Sequence, residues 1–354
     1  MKKNYLITTG GSGGHIMPAT ILYDHLSKTS KVIISTDKRG LRFLDQNIYD
    51  LKIIDTPRLN NIFFLPFNII KILFLTIKSL FLLKDMKIKK VFSTGGYMSL
   101  PIILAAKILK LEIYLLEPNQ VLGRANKYFL NSCKKIFCYS NKIKNFPDKF
   151  KDKISMINPL VKKQIYNLEL SDNINERFTL LIVGGSQGAE IFDKTLKDII
   201  INLSKKSQIK VIQQTSKKNI PYLTDFYTNH KVENKIFNFD KNFIDIIQQA
   251  DLCITRAGAS TLAELSIMNI PFIAIPLPSS KDNHQFENAS YYEQNDCCWI
   301  IEQSVLESNI EEVLKSILND KTDYLKKKEN LKKLNYQNTW NNVNQKILNI
   351  INEN

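Results

Sequence analysis

Cysteine is scarce in this sequence, and its distribution argues against two kinds of site. The 354 residues contain five cysteines, an odd number, with no C-x-x-C pair and no histidine at zinc-ligand spacing. We therefore expect reduced, mostly buried thiols rather than a disulfide framework or a zinc site.

The start, Met1-Lys2-Lys3, leads into a stretch too short and too polar for a secretory signal. The chain is therefore expected to stay in the cytoplasm.

Three common phosphate- and metal-binding motifs are also missing. No G-x-x-x-x-G-K-[ST] pattern occurs, which argues against a P-loop NTPase. The dinucleotide pattern G-x-G-x-x-G fails because Ile16 stands at the third glycine position counted from Gly11. Asp37 ends the second predicted strand and could imitate a ribose-binding acid, so a dehydrogenase remains an alternative. No D-x-D pair is present, so we predict no metal and no cofactor.

Length and composition indicate an ordinary globular protein of two domains. A chain of 354 residues exceeds the usual size of one hydrophobic core. Hydrophobic residues make up 44% and charged residues 23% of the chain, which argues against long disorder. The formal charge of +15 would suit phosphates, anionic lipid or nucleic acid. Lysine, asparagine and isoleucine crowd the chain as codon bias can produce, and we predict no nucleic-acid partner.

One apolar segment, residues 62–83, is nearly long enough to cross a membrane. Pro66 interrupts its start. Lys71 and Lys78 lie inside it, where each would cost about 2.5–3.5 kcal/mol near the centre of a bilayer. These features argue against a transmembrane span.

The same segment has the pattern of a helix that lies in a membrane surface. Its polar stripe consists of Asn68, Lys71, Lys78 and Ser79. Apolar side chains occupy the broad remainder and include Phe67, Ile70, Phe74 and Phe81. A basic cluster suited to anionic headgroups follows at Lys84, Lys87, Lys89 and Lys90. We predict an interfacial helix; the alternative is a helix buried against a sheet.

Both halves of the chain open with a strand, a glycine turn and a helix. In the first half, residues 5–9 precede the turn 10–14 and a helix predicted near Pro18; in the second, residues 179–183 precede the turn 184–188. Further strands are predicted at 31–35, 90–93, 112–116, 135–139, 210–214, 252–255 and 272–275. The sequence therefore predicts an α/β fold of two Rossmann-like, doubly wound parallel-sheet domains facing a cleft.

The domain boundary is predicted near Asn158-Pro159, between the domains 1–158 and 159–354. From Thr322 onward, apolar residues at helical spacing predict a helix rather than a disordered tail. This last helix could pack back on the N-terminal domain.

Glycine turns at strand ends indicate a phosphorylated or nucleotide ligand, because backbone N–H groups can approach a phosphate there. Such turns stand at 10–14, 95–96 and 184–188, and Gly258 stands at a further strand end. His15 ends the first turn, and an imidazole titrates near neutral pH. We predict that His15 is a general base rather than a structural histidine.

Three polar residues of the second half are candidates for contacts with a sugar nucleotide. Glu264 could accept hydrogen bonds from two ribose hydroxyls, or it could be an acid favoured by the helix macrodipole. Gln285 and Asn288 carry amides that suit sugar hydroxyls, although both could be surface residues.

Six stretches follow one another along most of the chain: Thr9–His15, Ser93–Pro101, Glu117–Asn119, Gly184–Ala189, Arg256–Glu264 and Asn283–Gln285. Together they resemble the cytoplasmic N-acetylglucosaminyltransferases of peptidoglycan synthesis, the MurG family. The resemblance implies the GT-B fold, with UDP-N-acetylglucosamine bound mainly by the C-terminal domain and the lipid-linked muramyl peptide by the N-terminal one. It also implies inverting transfer to the C4 hydroxyl of the N-acetylmuramic acid in lipid I, which yields lipid II.

The resemblance also assigns roles to residues. It makes His15 the base that deprotonates the acceptor hydroxyl. On the donor side it implies Ser12, Gly13, Gly14, Asn119, Lys162, Ser186, Ala259, Ser260, Thr261, Glu264 and Gln285, and on the acceptor side Tyr97 and Asn119. One departure is Lys162, since the family has an arginine directly after Asn-Pro-Val, and lysine lacks the bidentate fork of arginine. The other is Pro118, where glutamine is frequent.

The expected partners are UDP-N-acetylglucosamine, lipid I and an anionic membrane surface, and they could include other cell-wall synthesis proteins. The resemblance places the protein at the cytoplasmic face of the inner membrane as a peripheral protein. Two alternatives stay open: another GT-B glycolipid transferase, for example with a diacylglycerol acceptor, and a non-catalytic nucleotide-sugar-binding protein. The loop 10–15 with Gly95-Gly96-Tyr97 argues against the first, and His15 argues against the second.

Overall fold

The computed structural model describes residues 3–57, 62–169, 177–185, 188–240 and 242–353. The chain forms two compact units: the first unit comprises Met1–Lys162 and Thr339–Asn354, and the second unit comprises Lys163–Asn338. Each unit holds one parallel sheet with helices, so the predicted duplicated α/β fold is confirmed.

The first unit is built on a seven-stranded parallel sheet in the order β3-β2-β1-β4-β5-β6-β7. The strands are β1 (Asn4–Thr8), β2 (Lys31–Thr36), β3 (Leu51–Ile53), β4 (Ile88–Ser93), β5 (Glu112–Glu117), β6 (Lys135–Cys138) and β7 (Ile154–Met156). The helices between them are α1 (Gly13–Leu26), α2 (Leu65–Asp85), α3 (Leu100–Ile108) and α4 (Arg124–Phe129).

The second unit repeats the plan with six parallel strands in the order β10-β9-β8-β11-β12-β13. Its strands are β8 (Phe178–Val183), β9 (Ile209–Gln214), β10 (Glu233–Phe237), β11 (Leu252–Thr255), β12 (Phe272–Ala274) and β13 (Cys298–Ile300). Its helices are α5 (Glu190–Ser204), α6 (Ile220–Asn229), α7 (Phe243–Ile247), α8 (Ala259–Ile267), α9 (His284–Gln294), α10 (Leu306–Asn319) and α11 (Thr322–Leu334).

The central strands of both sheets are buried on both faces, as parallel strands covered by helices must be. Leu6 and Ile7 in β1, and Leu181 and Ile182 in β8, are fully buried. The strand order reverses between β1 and β4 and again between β8 and β11. Loops leave such a reversal in opposite directions, which opens a crevice at the carboxyl ends of the strands. The glycine turns that follow these four strands therefore lie where ligands bind in this type of sheet.

Helix α1 begins at Gly13, which corrects the prediction of a start near Pro18. Ser12 has extended backbone angles and precedes the first turn, while Pro18 lies inside the helix. Proline has no N–H, so it removes only the hydrogen bond to the carbonyl of Gly14. The second half of the glycine turn is therefore the first turn of α1, where backbone N–H groups have no partner within the helix.

Helix α2 turns a face toward the protein that differs from the predicted one. Asn68, Thr76 and Ser79 are buried, and they line the buried side together with Ile72, Leu75 and Leu83. Thr76 and Ser79 donate to carbonyls one turn back at 2.8 and 2.7 Å, so these hydroxyls are satisfied within the helix. The predicted polar stripe is thus wrong for Asn68 and Ser79, because small polar side chains pack inward once their groups are hydrogen-bonded.

The opposite face of α2 is apolar and exposed. Phe67, Ile70, Phe74, Ile77 and Phe81 follow a spacing of three and four residues and are 53–70% exposed. Lys71 and Lys78 are exposed as well. Among the described residues, α2 is the one helix long and apolar enough to cross a membrane.

The predicted basic cluster after α2 loses one member, because Lys90 is only 6% exposed. Its ammonium group binds Glu112 at 2.7 Å and donates to the carbonyl of Ile351 at 2.6 Å. Burial raises the pKa of Glu112, but hydrogen bonds from Lys90 and Tyr114 outweigh this effect and lower it to about 2.

The lysine- and asparagine-rich end of the chain forms two helices rather than one. Helix α11 ends at Leu334, and α12 (Trp340–Asn352) begins after Thr339, whose hydroxyl accepts the N–H of Asn342 at 3.2 Å. This N-cap interrupts the predicted helix. Helix α12 belongs to the first unit, where Trp340, Val343 and Ile347 are buried.

All five cysteines are free and buried, as predicted. Burial raises their pKa values, that of Cys133 to about 11 and that of Cys297 to about 12.

Candidate active site

The glycine turn after β1 is held in place by hydrogen bonds to a buried carboxylate. Asp37 is fully buried and accepts the N–H groups of Gly11 at 2.9 Å and Gly40 at 3.0 Å. Its other oxygen accepts from Arg39 Nε at 2.6 Å. A side chain on Gly10 would come within 2.6 Å of Asp37, so the turn requires glycine there. Asp37 therefore supports the loop, and the alternative of a ribose-binding acid is wrong.

His15 stands in the first turn of α1 beside the end of β4. Its Nδ1 lies 2.9 Å from the carbonyl oxygen of Thr94. A carbonyl can only accept, so Nδ1 carries the hydrogen, and in the neutral ring the lone pair is on Nε2. The ring is therefore held in the tautomer that a general base needs.

Gly95 separates His15 from a buried polar network. A side chain there would lie 3.5 Å from His15 Cε1 and 3.5 Å from Asn126 Nδ2, and the φ of Gly95 is +88°. Asn126 is 2% exposed and donates to Glu117 at 2.9 Å. Glu117 also accepts the N–H of Gly123 at 2.7 Å and the amide of Asn119 at 3.0 Å.

This network explains the stretch Glu117–Asn119. Glu117 is itself only 2% exposed, so its carboxylate is a structural centre that orients Asn119 at the carboxyl end of β5. The structure thus brings His15 and Asn119 to one edge of the sheet through Gly95, Asn126 and Glu117.

Tyr97, predicted on the acceptor side, follows the glycine pair 95–96 at the same edge. Its hydroxyl accepts a hydrogen bond from Arg39, and the guanidinium lies 5.1 Å from the centre of its ring. Arg39 also binds Asp37, so Tyr97 is linked to the support of the first glycine turn.

In the second unit, the described residues that follow β8 lie close to one another. The N–H of Gly188 donates to the carbonyl of Gly185 at 3.0 Å. A side chain on Gly184 would lie 2.4 Å from the backbone nitrogen of Ala189. The predicted phosphate ligand Ser186 lies outside the described residues.

Helix α8 presents its first turn at the end of the neighbouring strand β11. Gly258 is the N-cap, and Ala259, Ser260 and Thr261 form the first residues of the helix. Glu264 is the sixth residue and only 8% exposed, which does not fit an acid stabilised by the first-turn macrodipole.

Gln285 and Asn288 tie helix α9 to these loops. The side-chain carbonyl of Gln285 accepts the N–H of Leu277 at 2.8 Å. Asn288 is 3% exposed and donates to the carbonyl of Ala257 at 3.1 Å. It is therefore a buried residue that links α9 to the loop after β11, not a surface residue. The amide nitrogen of Gln285 is left as the end that can donate to a ligand.

Lys162 is the last residue of the first unit before the chain passes into the second. It is partly exposed and has no hydrogen-bond or ion-pair partner among the described residues. Its predicted contact with phosphate stays a prediction.

Two residues that shape the site carried no recognised signal in the sequence. Asn126 donates to Glu117, and the N–H of Leu277 binds the side chain of Gln285. Thr94 lies within the stretch Ser93–Pro101, but its contact with His15, 79 residues away, follows only from the folded chain.

Comparison with protein families places both halves of the chain. Residues 5–138 match the N-terminal domain and residues 179–342 the C-terminal domain of glycosyltransferase family 28. Among solved structures, Acinetobacter baumannii MurG superposes with a TM-score of 0.77 at 22% identity and 99% coverage of each chain. A UDP-GlcNAc 2-epimerase from Neisseria meningitidis reaches 0.66 at 15% identity, covering 99% of this chain and 100% of its own. These likenesses confirm the predicted GT-B fold.

Two curated relatives carry the same descriptive name, UDP-N-acetylglucosamine--N-acetylmuramyl-(pentapeptide) pyrophosphoryl-undecaprenol N-acetylglucosamine transferase. The protein of Pelagibacter ubique (strain HTCC1062) is 48% identical over 100% of both chains. That of Rickettsia canadensis (strain McKiel) is 36% identical over 85% of this chain and 86% of its own. The chain therefore belongs to this family of N-acetylglucosamine transferases within glycosyltransferase family 28.

Proposed function

We infer that the protein transfers N-acetylglucosamine from UDP-N-acetylglucosamine to the C4 hydroxyl of the N-acetylmuramic acid in lipid I and so forms lipid II. The observation that carries this inference is 48% identity over the full length of a curated transferase of that name. Inversion at the anomeric carbon requires a single displacement, for which one base and a stabilised leaving group suffice.

The base in this proposal is His15. The Thr94 carbonyl holds Nδ1 protonated, so Nε2 takes the proton of the C4 hydroxyl. The C4 oxygen attacks the anomeric carbon of the donor, and the bond from that carbon to the UDP oxygen breaks with both electrons on UDP. Asn119, which is oriented by Glu117, contacts the donor sugar from the same sheet edge.

The negative charge that develops on UDP is met by backbone N–H groups. The first turn of α8, with Ala259, Ser260 and Thr261, lies at the carboxyl edge of the second sheet, as do Gly184 and Gly185 after β8. The first turn of α1, with Ser12, Gly13 and Gly14, lies at the corresponding edge of the first sheet. Glu264 accepts ribose hydroxyls, and the Gln285 amide nitrogen donates to the sugar.

The acceptor is held by a polyprenyl anchor, so the enzyme has to work at a bilayer surface. The exposed stripe of Phe67, Ile70, Phe74 and Phe81 supplies an apolar surface that nothing in the first unit covers within the described residues. Lys71 and Lys78 flank the stripe at the level of anionic headgroups. We place the protein, as a peripheral protein, on the cytoplasmic face of the membrane through this face of α2.

The deciding experiment is transfer of labelled N-acetylglucosamine from its UDP donor to a short-chain lipid I analogue. A diacylglycerol acceptor is assayed in parallel, and both assays are repeated with EDTA. We expect product from lipid I alone, undiminished by EDTA. Transfer to diacylglycerol would establish the rival glycolipid transferase, and binding of the donor without any transfer would establish a nucleotide-sugar-binding protein.

A further inference from the structure

A buried guanidinium lies at the carboxyl edge of the second sheet. Arg256 follows β11 and is 8% exposed. It donates to the carbonyls of Ile275 at 3.0 Å and Pro276 at 3.4 Å, and to the side-chain carbonyl of Gln303 at 2.6 Å. Within the described part of the chain, no acidic side chain forms an ion pair with it. Burial lowers the pKa of Arg256.

The burial of this guanidinium requires an explanation, because a buried charge surrounded by neutral acceptors costs free energy. The planar face of the guanidinium packs 5.0 Å from the ring centre of Phe192 in α5, a contact that an apolar side chain could supply as well. The fork of N–H groups is what arginine adds: Nη1 donates to two successive backbone carbonyls after β12, and Nη2 donates to Gln303. Arg256 therefore fixes the path of the chain immediately after β12.

That path sets the position of Gln285. Leu277 is the next residue after the gripped carbonyls, and its N–H holds the side-chain carbonyl of Gln285 at 2.8 Å. Asn288, one turn further along α9, is held by the carbonyl of Ala257, the residue after Arg256. The Gln285 amide is thus held directly by Leu277, and helix α9 is held one turn further along by Ala257, the residue after Arg256.

We propose that Arg256 is a positioning residue for the donor sugar, acting through the segment Ile275–Leu277 on the amide of Gln285. This inference rests on the proposed function, in which Gln285 donates to a sugar hydroxyl. Arg256 is expected to affect recognition of the sugar and to leave recognition of UDP largely unchanged.

The test compares Arg256→Lys with Arg256→Met in the full chain. Lysine keeps the charge but loses the fork of N–H groups, and methionine loses both. Each variant should therefore raise the KM for UDP-N-acetylglucosamine about tenfold, the size of one lost hydrogen bond. Binding of UDP alone, measured by calorimetry, should change less than threefold. Arg177→Lys is the matched control, because Arg177 is an exposed arginine of the same unit that pairs with Glu233.

A double-mutant cycle with Gln285→Ala separates positioning from a general structural effect. If Arg256 acts through Gln285, Arg256→Lys should raise the donor KM less than twofold once Gln285 is alanine. Equal effects of Arg256→Lys in both backgrounds, or equal losses of UDP and UDP-N-acetylglucosamine affinity, would overturn the proposal. Should Arg256→Met fail to fold, the lysine variant alone decides.

Failure of the proposed function gives a different result. In that case the unmodified chain transfers no sugar to lipid I, whatever stands at position 256. The ratio of UDP-N-acetylglucosamine to UDP affinity still tests Arg256, because it needs no acceptor.

Discussion

The ring of His15, the base in the proposed mechanism, is oriented by a distant part of the chain. The tautomer of its ring is set by the carbonyl of Thr94, which is 79 residues away. Backbone carbonyls hold a ring in orientation and add no negative charge beside it. The site therefore differs from a triad in which a carboxylate stabilises the charged imidazole.

His15→Ala should lower kcat by about 10²–10⁴-fold, the usual range for a lost general base, and leave UDP affinity nearly unchanged. Steady-state transfer to the lipid I analogue and calorimetry with UDP measure the two quantities. His230→Ala is the control, because His230 is exposed and its Nδ1 lies 2.8 Å from the carbonyl oxygen of the nearby Phe226. Unchanged turnover of His15→Ala would remove His15 from the mechanism.

Gly184→Ala should destabilise the second unit by about 1–3 kcal/mol, as overpacking does, because the new methyl group would meet the backbone of Ala189 at 2.4 Å. Gly258→Ala is the matched control, since its φ is −71° and nothing lies within 4 Å of the added atom. Urea unfolding measures both. Equal free energies of unfolding for the two variants would contradict the tight turn.

The residues of the site divide by what a sequence can reveal. The glycine turns and the position of His15 at the end of one of them were predictable, because a strand followed by glycines is a local pattern. The role of His15 as a base stays a prediction. The buried acceptors Glu117 and Asp37 have functions that depend on which N–H groups surround them, and that arrangement follows only from the folded chain. Asp37 was consequently open to a ribose-binding interpretation, which its burial rules out.

At the scale of elements, the strands missed by the sequence patterns share one property. They are β3, β7, β10 and β13, and each lies at an edge of its sheet. An edge strand packs on fewer neighbours, so its sequence needs fewer apolar residues; β10, for example, has three partly or fully exposed polar residues among five. The interior strands were predicted to within about two residues because burial on both faces demands continuous apolar runs.

Helix α2 illustrates a second limit of periodicity. The pattern separated a polar from an apolar face, but small polar residues pack inward when their hydroxyls bond the helix backbone. The apolar face consequently points outward. Hydropathy alone does not distinguish the two orientations.

Replacing Phe67, Phe74 and Phe81 together by serine should weaken binding to vesicles containing anionic lipid at least tenfold, because about 1.5–3 kcal/mol of transfer energy is lost per fully buried ring. Vesicle co-sedimentation measures the change, and calorimetry with UDP should show no effect. Phe239→Ser is the control, since Phe239 is 75% exposed in the second unit. Equal vesicle binding by the triple variant and the unmodified chain would exclude α2 as the membrane contact.

The packing of α1 on α12 predicts acid sensitivity. His25 is stacked on Trp340 with ring centres 3.7 Å apart, and its Nδ1 lies 3.2 Å from the Asn344 side-chain oxygen. Burial lowers the pKa of His25 to about 4, although the hydrogen bond to Asn344 raises it. A folded pKa below the unfolded value of about 6.5 means that stability is complete above pH 6.5 and is lost as pH falls toward 4.

Between pH 6.5 and 5 the free energy of unfolding should therefore fall by roughly 1.5 kcal/mol through this residue. His25→Phe keeps an aromatic ring against Trp340 and cannot be protonated. Urea unfolding at the two pH values measures this decrease, which should be smaller for the variant by roughly 1.5 kcal/mol. The same decrease in both proteins would assign the acid sensitivity to other groups.

At the scale of the whole molecule, the first unit is completed by the last helix of the chain. Helix α12 is anchored to the sheet at its end, where Lys90 binds the carbonyl of Ile351 and Lys134 that of Glu353 at 2.8 Å. Sequence patterns predicted two similar domains, because each repeats the strand, turn and helix. Membership of α12 in the first unit depends on these contacts, which no local pattern contains.

Ile347→Ala should destabilise the first unit by about 2–5 kcal/mol, because Ile347 is fully buried in α12. Hydrogen exchange measured by mass spectrometry should accelerate in β1, β4 and β5 and remain unchanged in β8 and β9. Lys346→Ala, on the exposed side of the same helix, is the control. Accelerated exchange in both units, or in neither, would contradict the assignment of α12.

The chain enters the second unit once and leaves it once, so the second unit is a continuous insertion between two parts of the first. During synthesis on the ribosome, residues 163–338 are complete and can fold while the first unit still lacks its final helix. The first unit would then reach its native state only after α12 has been synthesised. A fusion partner attached after Asn354 should therefore slow the folding of the first unit and leave that of the second unit unchanged.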